Sequence, residues 1–412
     1  MVGGGRLTSD GGRATIEALF KPIKPKSPFP GDGLVIVRLR RAQSMGTQPM
    51  TSARVYEIDL LRFLAALAIV LFHYSYRGHA ADDLTVMSYP ALAPVFKYGY
   101  LGVELFFMIS GFVILMTAAN RSLGEFVIAR IVRLYPAFWT CCTITFLVTL
   151  VIGEPPHSAS LARYLANMTM LSGFVGIVSI DGAYWSLFVE LQFYVLAALL
   201  VGGRRIHRPE PFLWLWLLAS TAFAIYPVGA SYSLLIAEYS AFFIAGAACF
   251  LIWSNGLSLP RAVLIACSWG LALFQSLQKL RSFERHFSTT FDIFVVEGIV
   301  TLFFVVMLLI ALRRTAFASR KEWVVLGAIS YPLYLLHQNV GYMVFNVAYQ
   351  GVNVHVLFWG TIIAALICAY LVHALVEKRW SAPLKTMLNV SAGRVQRLAV
   401  RSKQDASQAV RP

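Results

Sequence analysis

Two histidines (His73, His337), four glutamates (Glu104, Glu190, Glu238, Glu297) and Arg62 interrupt otherwise apolar runs of this chain. An ionisable group at mid-bilayer costs at least ~2.5–3.5 kcal/mol, so each such residue needs a role. Arg62 and His73 are eleven residues apart. On a helix that spacing is three turns plus about 20°, which puts both on one face roughly 16 Å apart. Glu104 stands about two turns into the next apolar run, at a depth comparable with His73. A carboxylate beside an imidazole holds its tautomer and raises its basicity, as a general base requires. Arg130 and Arg133 share a helix face at i, i+3. Such a pair can grip phosphates of a nucleotide-containing donor through bidentate hydrogen bonds. Each feature also has a structural reading: snorkelling for Arg62, a helix-fastening Glu–His pair, and positive-inside anchoring for Arg130 and Arg133. The shared face of Arg62 and His73 favours a common channel over coincidence.

Further polar residues fall at similar depth. One run opens Tyr184-Trp185-Ser186-Leu187-Phe188-Val189-Glu190, and another contains Ser330-Tyr331-Pro332-Leu333-Tyr334-Leu335-Leu336-His337. Pro332 frees backbone groups and predicts a bend near a cavity. The grouping of His73, Glu104, Glu190 and His337 in the outer halves of their runs predicts a water-accessible cavity, with Trp185, Glu190, Tyr334 and His337 as substrate contacts. GxSxG, HExxH, Walker A and GxGxxG are absent. His79 and Asp83 fit an HxxxD spacing, but in a short polar loop without supporting context. The five cysteines have neither CxxC nor Cys/His ligand spacing, so no metal site and no disulfide framework is expected.

The elements that position these residues are helices. Of the 412 residues 58% are hydrophobic and 13% charged, about half the charge of a soluble domain. Apolar blocks of ~17–25 residues match the length of a transmembrane helix and exclude a barrel, whose segments are shorter and alternate in polarity. Ten runs can be read: 58–76, 98–117, 131–152, 184–201, 211–227, 232–252, 261–277, 292–312, 324–346 and 353–376. The stretch 160–177, broken by Arg163 and Asn167, reads as interfacial or re-entrant. The fold class is therefore all-α, a polytopic membrane bundle of about ten helices. With the N-terminus inside, inner loops carry eleven Lys and Arg and outer loops six, which predicts N-in and C-in. The weak point is 278–291, read as an outer loop although it holds Lys279, Arg281 and Arg285. Residues 1–55 read as a disordered basic tail, 56–383 as the membrane-embedded domain, and 384–412 as a cytoplasmic basic tail. The net charge of +15 lies in tails and short loops and points to anionic lipid rather than nucleic acid.

The ordered motifs resemble the integral-membrane acyltransferase 3 family. Arg62-x10-His73 is followed by Gly102-Val103-Glu104-Leu105-Phe106-Phe107, Ser110-Gly111-Phe112 and Arg130-Ile131-Val132-Arg133-Leu134-Tyr135-Pro136. Trp185-Ser186-Leu187 with Glu190, the segment Ser330 to His337, and Val376-Glu377-Lys378 continue the match from about residue 56 to 383. Glu104 stands where the family often has aspartate, and Arg379 where a proline often follows the lysine. The resemblance implies ten helices in a bacterial inner (plasma) membrane. It implies transfer of an acyl group, commonly acetyl, from cytoplasmic acyl-CoA to a hydroxyl of a cell-surface or exported carbohydrate or lipid-linked carbohydrate. No permanently bound cofactor is expected, and any extracytoplasmic acyl carrier would be a separate protein. His73 would be the general base oriented by Glu104, with Arg62, Arg130 and Arg133 on the CoA phosphates. The same buried His and Glu residues would also suit a proton-coupled transporter or flippase, although no internal repeat joins the two halves.

Overall fold

Hydrocarbon offers no water to a backbone, so a spanning segment must hydrogen-bond within its own helix. The computed structural model describes residues 54–226, 234–287 and 289–409, and among them the apolar runs are helical. Helix α1 (Tyr56–Phe72) continues as a π-helical stretch, His73–Ala81. There follow α2 (Gly102–Ala118), α3 (Leu123–Ile152), the short α4 (Leu161–Met168), α5 (Trp185–Gly202) and α6 (Glu210–Ile225). The second half comprises α7 (Ser240–Asn255), α8 (Leu259–Phe287), α9 (Ile293–Ala311), α10 (Trp323–Leu336), α11 (Gln338–Ala348) and α12 (Val354–Leu371). A second π-helical stretch, Val372–Glu377, leads into α13 (Lys378–Ala409).

Among the described residues seven helical segments are long and apolar enough to cross a membrane, and α6, α7 and α10 are shorter apolar helices. Nine of the ten apolar runs read from the sequence overlap one of these segments, and the run 324–346 is divided at His337 between α10 and α11. Residues 227, 232 and 233 of those runs, and the tail 1–53, lie outside the described residues. Side chains such as Val151, Phe294 and Leu199 are exposed on the bundle's exterior, an apolar surface that suits lipid.

Local sequence sets the helix ends. Ser122 and Glu125 form a capping box at the start of α3, Asp292 accepts the Phe294 N–H at the start of α9, and Asn353 accepts the His355 N–H at the start of α12. Helix α4, with eight residues, is too short to span, in keeping with an interfacial reading of this stretch. Helix α7 is central, with Ser240 to Ile252 buried throughout. It approaches α2 so closely that a Cβ on Gly246 would overlap the Met108 carbonyl, and one on Gly111 the Phe243 carbonyl. Small residues at such crossings let backbones pack directly.

The structure corrects one expected boundary. The loop read from residue 278 is helical, because α8 runs unbroken to Phe287. Lys279 is tolerated there because its Nζ lies 3.1 Å from the centroid of the Tyr239 ring, with the Glu104 carboxylate in electrostatic contact.

Candidate active site

The polar residues of the bundle gather in two cavities along α1. The first is lined by Arg62 of α1, Ser110 of α2, Arg130 and Arg133 of α3, Glu190 and Tyr194 of α5, and Tyr331 of α10. The three arginines expected on one anionic group therefore share a wall. Arg133 donates from Nη1 to Glu377 Oε1 at 2.9 Å, and the other oxygen of Glu377 meets His373 Nδ1 at 2.6 Å. Glu377 ends the second π-helical stretch, so that widened turn aims Arg133. Arg62 and Arg130 have no ion-pair partner among the described residues, and Arg130 Nε is buried without a hydrogen-bond partner. Glu190 accepts from Ser110 Oγ at 2.8 Å and Tyr194 OH at 2.7 Å. Like charges converging on an apolar-walled space form a receptor for an anion with several oxygens.

The second cavity is lined by His73 and Arg77 of the first π-helical stretch, Glu104 of α2, Trp185 of α5, and Lys279 and His286 of α8, with Tyr239 beside them. Val103 and Tyr334 line both cavities and form the partition between them. The Tyr334 hydroxyl donates to the Ala183 carbonyl at 2.9 Å and lies 2.7 Å from Ser186 Oγ, which pins the ring in place.

The expected partnership of Glu104 with His73 differs in the structure. Glu104 is not the group on His73; its Oε2 accepts from Ser276 Oγ at 3.4 Å, and it faces Lys279. Equal depth in two helices does not fix which way each face turns, and α2 turns Glu104 toward α8. The partner of His73 is His337, with Nδ1 of His73 2.8 Å from Nε2 of His337. His337 is fully buried between α10 and α11 and lines neither cavity, so it stands behind His73 rather than at a substrate surface. Glu190, expected to share one cavity with His73 as a substrate contact, lines the arginine-lined cavity. His79 turns to the Thr85 carbonyl, and its HxxxD partner Asp83 has no part in either cavity.

The chemistry of the two ends fixes the protons along this chain. A backbone carbonyl only accepts, and Tyr334 O lies 2.8 Å from His337 Nδ1, so His337 carries its proton there. Neutral His337 then accepts at Nε2, and His73 donates from Nδ1. A guanidinium only donates, and Arg77 Nη1 lies 3.3 Å from His73 Nε2. The chain thus runs in one direction, from Arg77 to the Tyr334 carbonyl, and makes Nε2 the unprotonated nitrogen of His73, its lone pair turned to the cavity wall where it accepts from Arg77. Tyr74 braces it by donating to the His337 carbonyl at 2.7 Å. Asp181, also buried, accepts from the Ala183 and Asn339 N–H groups at 2.9 Å each, tying the start of α5 to α11.

Sequence reasoning did not single out Arg77, Asp181 or the Tyr239–Lys279 pair. Only Arg77 left a signal, its place four residues after His73.

Comparison with known proteins agrees with these motifs. A family model described as an acyltransferase domain matches residues 55–374. Nodulation protein 10 of Rhizobium leguminosarum bv. viciae is 28% identical over 166 residues, covering 35% of this chain and 43% of that protein. Acyltransferase MdmB of Streptomyces mycarofaciens is 26% identical over 185 residues, covering 42% of this chain and 45% of that protein. The chain thus spans less than half the length of these curated relatives. No solved structure matches it.

Proposed function

Because this chain belongs to the acyltransferase family whose domain it matches over residues 55–374, we propose that it moves an acyl group, commonly acetyl, from cytoplasmic acyl-CoA to a carbohydrate hydroxyl. It does so within a bacterial inner membrane, with both termini on the cytoplasmic side. The observation that carries this reading is the one-way hydrogen-bond chain that leaves His73 Nε2 facing one cavity, with a cluster of arginines lining the other across Tyr334.

Arg62, Arg130 and Arg133 hold the donor phosphates from the cytoplasmic side, and Glu377 keeps Arg133 aimed into the cavity. The acyl thioester passes the partition at Val103 and Tyr334 and reaches His73. A hydroxyl enters the second cavity, where Trp185 and Tyr239 offer stacking faces and Glu104 and Lys279 offer hydrogen bonds. His73 Nε2 takes the hydroxyl proton as its oxygen attacks the thioester carbonyl carbon. The new C–O bond forms, the C–S bond breaks, and His73 returns the proton to sulfur, releasing free CoA and the ester. His337 keeps the Nδ1 proton of His73 in place, so that Nε2 is always the basic nitrogen.

Purified protein in nanodiscs given acetyl-CoA should bind it and release free CoA, and His73→Ala should abolish release while leaving binding intact. Full release by His73→Ala would remove His73 as base. Failure to bind any acyl-CoA would move the assignment to a transporter.

A further inference from the structure

A thioester carbonyl attacked at His73 develops negative charge on its oxygen, and a donor must already stand where that charge appears. The second cavity contains such a donor. Arg77 lies four residues after His73, within the same π-helical stretch, whose wider turn of ~4.4 residues sets both side chains on one face. Its Nη1 is 3.3 Å from His73 Nε2. An attacking hydroxyl must displace that N–H and lie about 2.6–3.2 Å from the same nitrogen, and the thioester carbonyl carbon it attacks carries the developing oxyanion. A donor on the rim of Nε2 is therefore adjacent to the oxyanion, not merely to the base.

Arg77 is held rather than free. Its Nε donates to Asp82 Oδ2 at 2.6 Å, the Asp82 N–H returns to the Arg77 carbonyl at 3.0 Å, and Asp82 Oδ1 lies 2.8 Å from His286 Nε2. With Nε committed to Asp82, the Nη groups are left to face the cavity. Lys279, the other cation of this wall, is turned over the Tyr239 ring and toward Glu104. Arg77 is therefore the cationic donor in hydrogen-bond contact with the base.

We propose that Arg77 is a catalytic residue, the donor that binds the acyl carbonyl oxygen and stabilises the tetrahedral oxyanion, with Asp82 as its positioning residue. The inference rests on the reading of His73 as base and thioester as donor. During attack the carbonyl π pair moves onto oxygen against Arg77; as the C–S bond breaks, that pair re-forms the C=O of the ester. Arg77 gives up no proton.

The test is infrared spectroscopy of acetyl-CoA carrying a 13C carbonyl, bound to the full chain in nanodiscs, joined to the rate of free CoA release. In the wild type the bound carbonyl stretch should fall below its value in water, and in Arg77→Gln the shift should disappear. The kcat of Arg77→Gln should drop about a hundredfold to a thousandfold with KM for acetyl-CoA unchanged, and Arg77→Lys should recover part of both. An identical band in wild type and Arg77→Gln, or a loss confined to KM, overturns the assignment. Where Arg77→Gln does not fold, the wild-type band decides: a bound carbonyl stretch no lower than its value in water overturns the assignment. His73→Ala separates the two readings: it should keep the carbonyl shift while losing release. A His73→Ala variant that releases CoA normally refutes the base and leaves the Arg77 band to be judged alone. No acetyl-CoA binding at all would remove both.

Discussion

Replacing His337 with leucine tests the directional chain most directly. Leucine is close to histidine in volume and fills the site between α10 and α11, but it offers no acceptor to the His73 Nδ1 proton, which in the wild type lies 2.8 Å from His337 Nε2. The proton then loses its side-chain acceptor and keeps only the Ile69 carbonyl one turn back, a loss of about 0.5–1.5 kcal/mol. His73 avoids that loss by moving the proton to Nε2 and displacing the Arg77 guanidinium, since both are then donors, and the basic nitrogen no longer faces the cavity. At ~1.4 kcal/mol per tenfold, the expected loss in kcat is about threefold to tenfold, with acetyl-CoA affinity unchanged because the arginines lie across the partition. His337→Gln restores an acceptor oxygen and should recover most of the rate. Ring 15N spectra of His73 should show an unprotonated Nε2 in the wild type and a protonated one in His337→Leu. A His337→Leu variant with kcat within twofold of wild type, and an unchanged His73 tautomer, would refute the reasoning.

Arg62→Gln and Arg130→Gln should each weaken acetyl-CoA binding by about tenfold or more, since a hydrogen bond to a charged group contributes about 1.5–3 kcal/mol; isothermal titration that finds unchanged affinity would separate these residues from the donor. Gly246→Val should lower the melting temperature in detergent, because its side chain meets the Met108 carbonyl and overpacking costs about 1–3 kcal/mol. An unshifted melting curve would mean that α7 and α2 separate more easily than their packing implies. Tyr334→Ala should join the two cavities, and a pH-sensitive dye in proteoliposomes should then report faster proton entry than in the wild type; equal rates would show that other residues close the path.

The helices were legible because the bilayer imposes a length and a composition, and the runs holding Arg62 and Glu104 emerged with their centres in place, whereas the run holding His337 is two helices that meet at that residue. Which way each face turns was not legible. His73 and His337 are separated by 264 positions, and no periodicity within either run brings them together. Glu104 looked like the partner because depth can be counted from a span's end, whereas rotation about the helix axis is set by neighbours such as Ser276 and Lys279. The boundary at 278 failed for a related reason. A lysine ends a hydropathy window, but an aromatic face and a carboxylate keep it inside a helix. The two π-helical stretches left no pattern in the sequence, yet they carry His73, Arg77 and Glu377.

The partition at Val103 and Tyr334 also has an electrical consequence. A membrane voltage falls mostly across low-dielectric material, and under the proposed topology, with one cavity open to each side, that fall is concentrated on the thin wall between them. An elementary charge carried across the full drop exchanges ~2.3 kcal/mol per 100 mV. A neutral thioester arm passing Tyr334 and a neutral thiol returning exchange none, whereas a thiolate or a lone proton taking the same route would work with or against the field. A transfer in which only these neutral groups cross the wall proceeds at the same rate in an energised membrane and in a collapsed one.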